Sequence, residues 1–131
     1  MIPQIPASTI TEKIKNGEYS TKLSFPQYKK HVEGTKEFDD YLTSRLKKGN
    51  SPQGRLTISA EEAQEIIESY SGKGIIKVGR KGTVMNIEHI TCDKEIGMYC
   101  QKGEWIKTNK ASIYYGKKGA HLVPIKGNNY D

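Results

Sequence analysis

The chain of 131 residues carries a net charge of +6, and its mean hydropathy of −0.72 indicates a largely polar surface. This length suits one compact domain. No apolar run is long enough to cross a membrane, and residues 1–10 lack the features of a signal peptide. Residues 1–70 have ten basic and ten acidic side chains, whereas residues 71–131 have eleven and five. An excess of basic side chains attracts polyanions. Surface lysines also occur with no other role than keeping a protein soluble.

Residues 1–22 contain two prolines and a glycine among scattered polar residues. This composition predicts an N-terminal arm or the end of a linker, with one helical turn over residues 11–15. The domain itself is expected to occupy residues 23–131.

Three helices are predicted at the start of this domain. The first begins at Ser24, with a proline in its first turn, and runs to about His31. Thr35 caps the second helix. In this helix, mostly apolar residues recur three and four positions apart and so form one face of an amphipathic helix. The residues of this face are Phe38, Tyr41, Leu42, Arg45 and Leu46. The third begins at Ser59, where Glu62 three residues later completes a capping box.

From residue 75 the chain changes to short runs rich in β-branched and aromatic residues, separated by turn residues at hairpin spacing. The predicted strands are Ile75–Val78, Val84–Ile90, Ile96–Gln101, Trp105–Thr108, Ala111–Tyr115 and Leu122–Ile125. Helices followed by such a meander predict an α+β fold, in which the N-terminal helices pack on one face of a twisted antiparallel sheet of about four strands. We expect the lysines on the open face.

The last predicted hairpin is the segment richest in reactive side chains. Tyr115, Lys117, Lys118 and His121 surround one tight turn, which brings a phenol, two ammonium groups and an imidazole together. Cleavage of RNA by its own 2′-hydroxyl needs a base, an acid, and a cation that stabilises the charged phosphorane. It needs no metal. The same residues also suit an ordinary exposed hairpin.

His31 lies at a predicted helix end beside Lys29 and Lys30. A helix packed across the sheet would bring His31 opposite His121, so that one histidine serves as acid and the other as base. A histidine at a helix end also serves as a cap that interacts favourably with the helix dipole. His89 falls within a predicted strand and is interpreted as structural or RNA-contacting.

Other catalytic classes have weaker support. No glycine-rich phosphate loop and no His-Glu-x-x-His motif occurs, and an aspartate pair at residues 39–40 lies in a helix next to its apolar face. Cys92 and Cys100 form no Cys-x-x-Cys motif, and no second cysteine pair is present that would complete a zinc site. A hairpin disulfide and two free thiols therefore both stay open. Group transfer to a nicotinamide dinucleotide would need a catalytic glutamate, for which Glu88 is the one strand candidate.

Two motifs at the ends of the domain resemble a known family. Residues 28–35 (YKKHVEGT), followed by the helix at residues 38–46, resemble the opening motif of the polymorphic toxin type 50 class. Residues 113–124 (IYYGKKGAHLVP) resemble its closing motif. The lead-in at residues 10–23 is similar to that of versions associated with phage heads. The resemblance covers about residues 20–126.

This resemblance implies a ribonuclease toxin of the barnase–EndoU–colicin–RelE structural group, with N-terminal helices and a four-stranded antiparallel sheet. Such toxins cleave RNA without a metal or cofactor, leaving a 2′,3′-cyclic phosphate. His31 and Thr35 match the first motif. The second motif is matched by Thr108, Tyr115, Lys117, Gly119 and His121. Gly116 stands where the family pattern is expected to have a serine, so Thr108 or Tyr115 would supply any hydroxyl.

The resulting hypothesis assigns His31 and His121 as acid and base in either order, and Lys117 as the phosphorane stabiliser. Thr108 and Tyr115 would contact the phosphate. The expected RNA-binding lysines are Lys29, Lys30, Lys110 and Lys118. The resemblance also implies secretion or phage delivery, action in the target-cell cytoplasm without a membrane partner, and an acidic cognate immunity protein. The alternative function is a non-catalytic nucleic-acid-binding module of a phage particle.

Overall fold

The computed structural model of the protein describes Ile5 and residues 7–126. Its helices are α1 (Ser8–Lys15), α2 (Phe25–Lys29), α3 (Lys36–Lys47) and α4 (Ala60–Tyr70). Its strands are β1 (Arg55–Leu56), β2 (Ile75–Val78), β3 (Val84–Thr91), β4 (Gly97–Gln101), β5 (Glu104–Thr108), β6 (Lys110–Tyr115) and β7 (Ala120–Pro124). Within this described part of the chain, no helix is long and apolar enough to cross a membrane.

The helix starts read from the sequence are confirmed. The Thr35 hydroxyl accepts a hydrogen bond from the backbone N–H of Phe38 at 3.0 Å, and both halves of the capping box between Ser59 and Glu62 are formed. The first predicted helix ends earlier than expected, at Lys29.

The segment expected to be an arm contains α1. This helix packs on the domain because its buried residue, Ile10, is 1% exposed and belongs to the hydrophobic core. Ile14 and Tyr19 pack against the same core. An isolated helical turn has little stability of its own, so the burial of these apolar residues stabilises α1.

The expected α+β fold with an antiparallel sheet of about four strands is present, but the predicted strands do not follow one another through a single sheet as a meander. A four-stranded antiparallel sheet exists, with the order β2-β3-β6-β7, but β4 and β5 leave it and join β1 in a second sheet of three strands. The short strand β1 was not predicted. It pairs with β4 at Gly97, where a Cβ atom would lie 2.1 Å from the carbonyl oxygen of Arg55. The absence of a Cβ atom at Gly97 therefore allows the close approach of β4 to β1.

One face of the four-stranded sheet forms the core. Paired residues of neighbouring antiparallel strands share a face, and the register places Ile76, Glu88, Ile113 and Leu122 in one buried row. Helix α4 adds the buried residues Ala63, Ile66 and Ile67 to this core.

Glu88 is enclosed within this core. The backbone N–H groups of Gly72 and Gly74 donate to its carboxylate at 3.0 and 2.6 Å, and the hydroxyl of Tyr115 donates at 2.7 Å. Burial is the main cause that raises the pKa of Tyr115. These bonds satisfy a buried carboxylate and hold the loop after α4 against the sheet.

The helices do not all pack on one face, contrary to expectation. The chain before α2 runs along the free edge of β7, where Leu23 forms a parallel bridge to Ala120 and the N–H of Ser24 donates to the carbonyl of Ala120 at 2.7 Å. Beyond this edge, His31 and two residues of α3, Tyr41 and Arg45, line a cleft together with Tyr114 and His121 of the second face of the sheet. That face is therefore partly covered, and the cover creates a cleft.

Candidate active site

A cleft of about 570 Å³ lies on the second face of the four-stranded sheet. Strand β7 forms its floor together with Tyr114 of β6, α2 and α3 form one side, and residues 99–101 of β4 form another. The described residues that line it include Lys30, Arg45 and Lys126 but no aspartate or glutamate. The cleft thus presents positive charge alone, which suits a polyanion.

His31 and His121 lie side by side in this cleft. Their ring centroids are 6.2 Å apart and their planes differ by 17°. His121 also stacks on Tyr114, with ring centroids 4.9 Å apart. The register explains this stack, because Tyr114 and His121 are directly paired across β6 and β7.

The position and the tautomer of His31 are set by backbone contacts. Its Nδ1 lies 2.9 Å from the carbonyl oxygen of Gly54. Since a carbonyl only accepts, Nδ1 carries the proton, and Nε2 is the free nitrogen of the neutral ring. The buried amide of Gln53 donates to the carbonyls of Lys30 (3.1 Å) and Phe38 (3.0 Å), and so joins the His31 segment to α3.

Both imidazoles have lowered pKa values. Burial is the main cause for each, and it lowers the pKa of His121 to about 4, with a further contribution from the charge of His31. The backbone bond to Gly54 opposes this shift at His31, while Arg45 and Lys30 add to it. At pH 7 without a ligand, both rings are therefore neutral and able to accept a proton.

Cations and tyrosines surround the histidine pair. Lys30 Nζ and the guanidinium of Arg45 lie 5.5 and 5.6 Å from the ring centroid of Tyr41, and this ring meets His31 edge-on. Arg45 Nε donates to the carbonyl of Ser51 at 2.7 Å, which fixes the side chain at the cleft wall. Burial raises the pKa of Tyr114, so its hydroxyl stays protonated.

Three of the residues expected at the site lie outside this cleft. Lys117 is exposed in the β6–β7 turn, and Tyr115 points into the core on the opposite face from Tyr114. Thr108 is buried, and its hydroxyl donates to the carbonyl of Ile125 at 2.9 Å and accepts from the N–H of Lys110. Thr108 thus holds the connection between β5 and β6.

The expected RNA-binding lysines are spread over the cleft and its surroundings. Lys30 lines the cleft, and Lys118 lines a neighbouring groove. Lys29 forms an ion pair with Glu37 at 3.6 Å. Lys110 lies on the same sheet face as Tyr114 but outside the cleft, with its Nζ 3.4 Å from the hydroxyl of Thr91.

Sequence reasoning missed Arg45, Tyr41 and Tyr114 as site residues. A signal for Arg45 was present, because a charged residue inside the apolar stripe of α3 is unusual for a core-facing helix. Tyr41 lies four residues before Arg45 and therefore on the same face of the helix. For Tyr114 the signal was hairpin pairing. A four-residue turn at residues 116–119 pairs His121 with Tyr114 and places both on one face.

Cys92 and Cys100 are free thiols; burial raises the pKa of Cys92 to about 11, and Cys100 lines the cleft. His89 lies on the same sheet face as His121, 2.8 Å from the hydroxyl of Ser112. Across Ile5 and residues 7–126, no cluster of three His, Cys, Asp or Glu side chains is arranged to hold a metal ion.

These features define an α+β domain whose cationic cleft is built around two neutral histidines. The profile of a family described as Bacterial toxin 50 matches residues 23–124. The chain belongs to this family of bacterial toxin domains. Comparisons with curated proteins and with solved structures yield no match.

The lowered pKa of His121 predicts a specific dependence of stability on pH. The unfolded chain binds a proton at this residue below about pH 6.5, whereas the folded protein does so only near pH 4. The contribution of neutral His121 to the free energy of unfolding is therefore complete above pH 6.5 and is lost as the pH falls toward 4. Relative to a His121→Gln variant, we expect the wild type to lose about 2 kcal/mol between pH 7 and 4.5. Urea unfolding followed by Trp105 fluorescence measures this difference, and parallel pH curves would contradict it.

Proposed function

We propose that this toxin domain is a metal-independent endoribonuclease in which His31 and His121 perform the proton transfers. The observation that carries the proposal is the histidine pair itself, held in a cleft whose described lining has cations and no carboxylates. A phosphodiester fits this charge, and two imidazoles fit the two proton transfers of RNA cleavage.

The reaction is an in-line displacement at phosphorus. The 2′-oxygen forms a bond to phosphorus, and the bond to the 5′-oxygen breaks, which leaves a 2′,3′-cyclic phosphate and a free 5′-hydroxyl. One imidazole takes the proton of the 2′-hydroxyl, and the other, protonated, gives its proton to the departing 5′-oxygen. The two oxygens lie on opposite sides of phosphorus, so the two rings must flank the phosphate.

The coupling between the two rings suits this division of roles. The charge of one imidazolium lowers the pKa of the other, which disfavours the doubly protonated pair. A bound phosphate raises the pKa values again and favours one proton on the pair. The complex then contains one acid and one base.

Arg45 and Lys30 are proposed to stabilise the charge that develops on the phosphorane. Arg45 is the stronger candidate, because its guanidinium is held at the cleft wall by the carbonyl of Ser51 and presents several donors in a fixed plane. The protonated Tyr114 hydroxyl is a further donor beside His121. Lys117, the residue expected from the sequence, would need another arrangement of the hairpin turn to take this role.

The proposal also covers the structural group of the toxin, its delivery and the place where it acts. It includes membership of the barnase–EndoU–colicin–RelE group, secretion or delivery by a phage particle, and action in the target-cell cytoplasm. An acidic immunity protein would complement the cationic cleft.

The test is incubation of the purified protein with total RNA and with a defined single-stranded oligonucleotide in EDTA. We expect new fragments on a gel and a 2′,3′-cyclic phosphate by mass spectrometry. The matched control is a variant with both His31→Gln and His121→Gln, checked for folding by circular dichroism. Binding without cleavage would instead support the nucleic-acid-binding module. Cleavage abolished by EDTA would contradict the metal-independent mechanism.

A further inference from the structure

A second groove continues the cleft on the far side of the histidine pair. Gln27, Tyr114 and His121 line both depressions, so the two share a boundary at His121. The walls of the second groove are residues 22–27 and the turn between β6 and β7.

The walls of this groove are held together by backbone contacts. The N–H of Ala120 donates to the carbonyl of Lys22 at 2.8 Å, and the N–H of Ser20 donates to the carbonyl of Gly116 at 2.8 Å. At Gly119 a Cβ atom would lie 3.2 Å from the carbonyl oxygen of Lys22. The shape of the groove is therefore set by backbone contacts of the fold.

Phe25 stands in this groove with half of its surface exposed (51%). Its ring stacks on Tyr28, with centroids 5.9 Å apart and planes within 12°, and Lys29 Nζ lies 4.7 Å from its centroid. A large aromatic ring is normally more fully buried. Its orientation is fixed by Tyr28, which is itself bonded to the carbonyl of Ile58 at 2.8 Å.

The charge of the groove indicates what kind of molecule it binds. Lys22 and Lys118 line it, and none of its described lining residues is acidic. An exposed, fixed aromatic ring between cationic side chains is how proteins hold unpaired nucleotides, since the base stacks on the ring and the lysines contact the backbone.

We infer that this groove binds the nucleotide that flanks the scissile phosphate in single-stranded RNA, with its base stacked on Phe25 and its phosphate near Lys22 and Lys118. This inference rests on the proposed ribonuclease function. The RNA strand would run from the first cleft, across His31 and His121, into the groove. A base within a duplex is stacked on its neighbours, so the substrate must be unpaired here.

The first test measures binding separately from cleavage. An oligonucleotide with a 2′-deoxy sugar at the cleavage position cannot react, and its affinity is read by fluorescence anisotropy. Stacking of one base contributes about 1–3 kcal/mol, so Phe25→Ala should weaken binding about 5- to 150-fold, whereas Phe25→Trp should bind as well as the wild type. Leu46→Ala is the control, because Leu46 is 54% exposed but lines neither depression. Unchanged affinity of Phe25→Ala would overturn the inference.

The second test identifies the stacked base. Abasic residues are placed one at a time along the same oligonucleotide. When the missing base is the one that stacks on Phe25, next to the cleavage site, the wild type and Phe25→Ala should bind with equal affinity. A difference that persists at every position, or equal wild-type affinity for the corresponding duplex, would overturn the inference. Failure of the wild type to cleave the unmodified oligonucleotide would refute the proposed function instead, so the two failures are distinguishable.

Discussion

Replacing His121 by alanine is expected to lower the single-turnover rate of RNA cleavage by about 10²–10⁴, the usual cost of removing one proton-transfer group. Affinity for an uncleavable oligonucleotide should change by no more than about threefold, because the lysines and Arg45 of the cleft remain. Rates are measured with enzyme in excess over a labelled oligonucleotide, and affinity by anisotropy.

His89→Ala is the matched control for this variant. His89 lies on the same face of the sheet but outside the cleft, and it is held by Ser112 at 2.8 Å. We expect its cleavage rate to stay near that of the wild type. If His121→Ala also cleaves at the normal rate, the reaction takes place elsewhere on the molecule.

Arg45→Ala is expected to lower turnover by about 10²–10³, the range found when a donor that stabilises transition-state charge is removed. Affinity should fall much less than turnover, since this charge develops only during the reaction. Arg45→Lys should restore part of the rate, because it keeps the charge but loses the planar donor array and the contact of Nε with Ser51. The measurement is the same single-turnover assay, with binding measured in parallel.

Lys117→Ala tests the competing assignment of the cation. Lys117 is exposed and lines neither depression, so this variant should cleave at nearly the normal rate. Slow cleavage by Lys117→Ala together with normal cleavage by Arg45→Ala would reverse the assignment. The phosphorane would then be stabilised from the hairpin turn, as the family motif suggests.

Local features of the structure followed closely from the sequence. The caps at Thr35 and Ser59 lie where they were predicted, because a cap depends on residues within one turn of the helix. A short turn between β4 and β5 was also predicted, and in the structure it consists of two residues. Both Lys102 and Gly103 have positive φ angles, 52° and 81°, as a tight hairpin requires.

The candidate site was only partly predictable. The juxtaposition of His31 and His121 was expected from a predicted helix packed across the predicted sheet. The sequence did not predict which of two adjacent tyrosines faces the cleft, because side chains alternate between the faces of a strand. One residue of difference moves a phenol from the cleft, at Tyr114, to the core, at Tyr115 beside Glu88. The residues of the predicted amphipathic face of α3 likewise have different surroundings, because Phe38 is buried whereas Arg45 lines the cleft.

The sequence by itself determined the helix starts, the strand segments, the excess of positive charge and membership of a toxin family, since these depend on residue type and local spacing. Only the tertiary structure decided which strands pair and which cations meet the histidines. Strand pairing is set by contacts between distant segments, such as β1 with β4. Arg45 reaches the cleft because the chain along the edge of β7 carries α3 over the second face, a path that depends on packing rather than on local sequence.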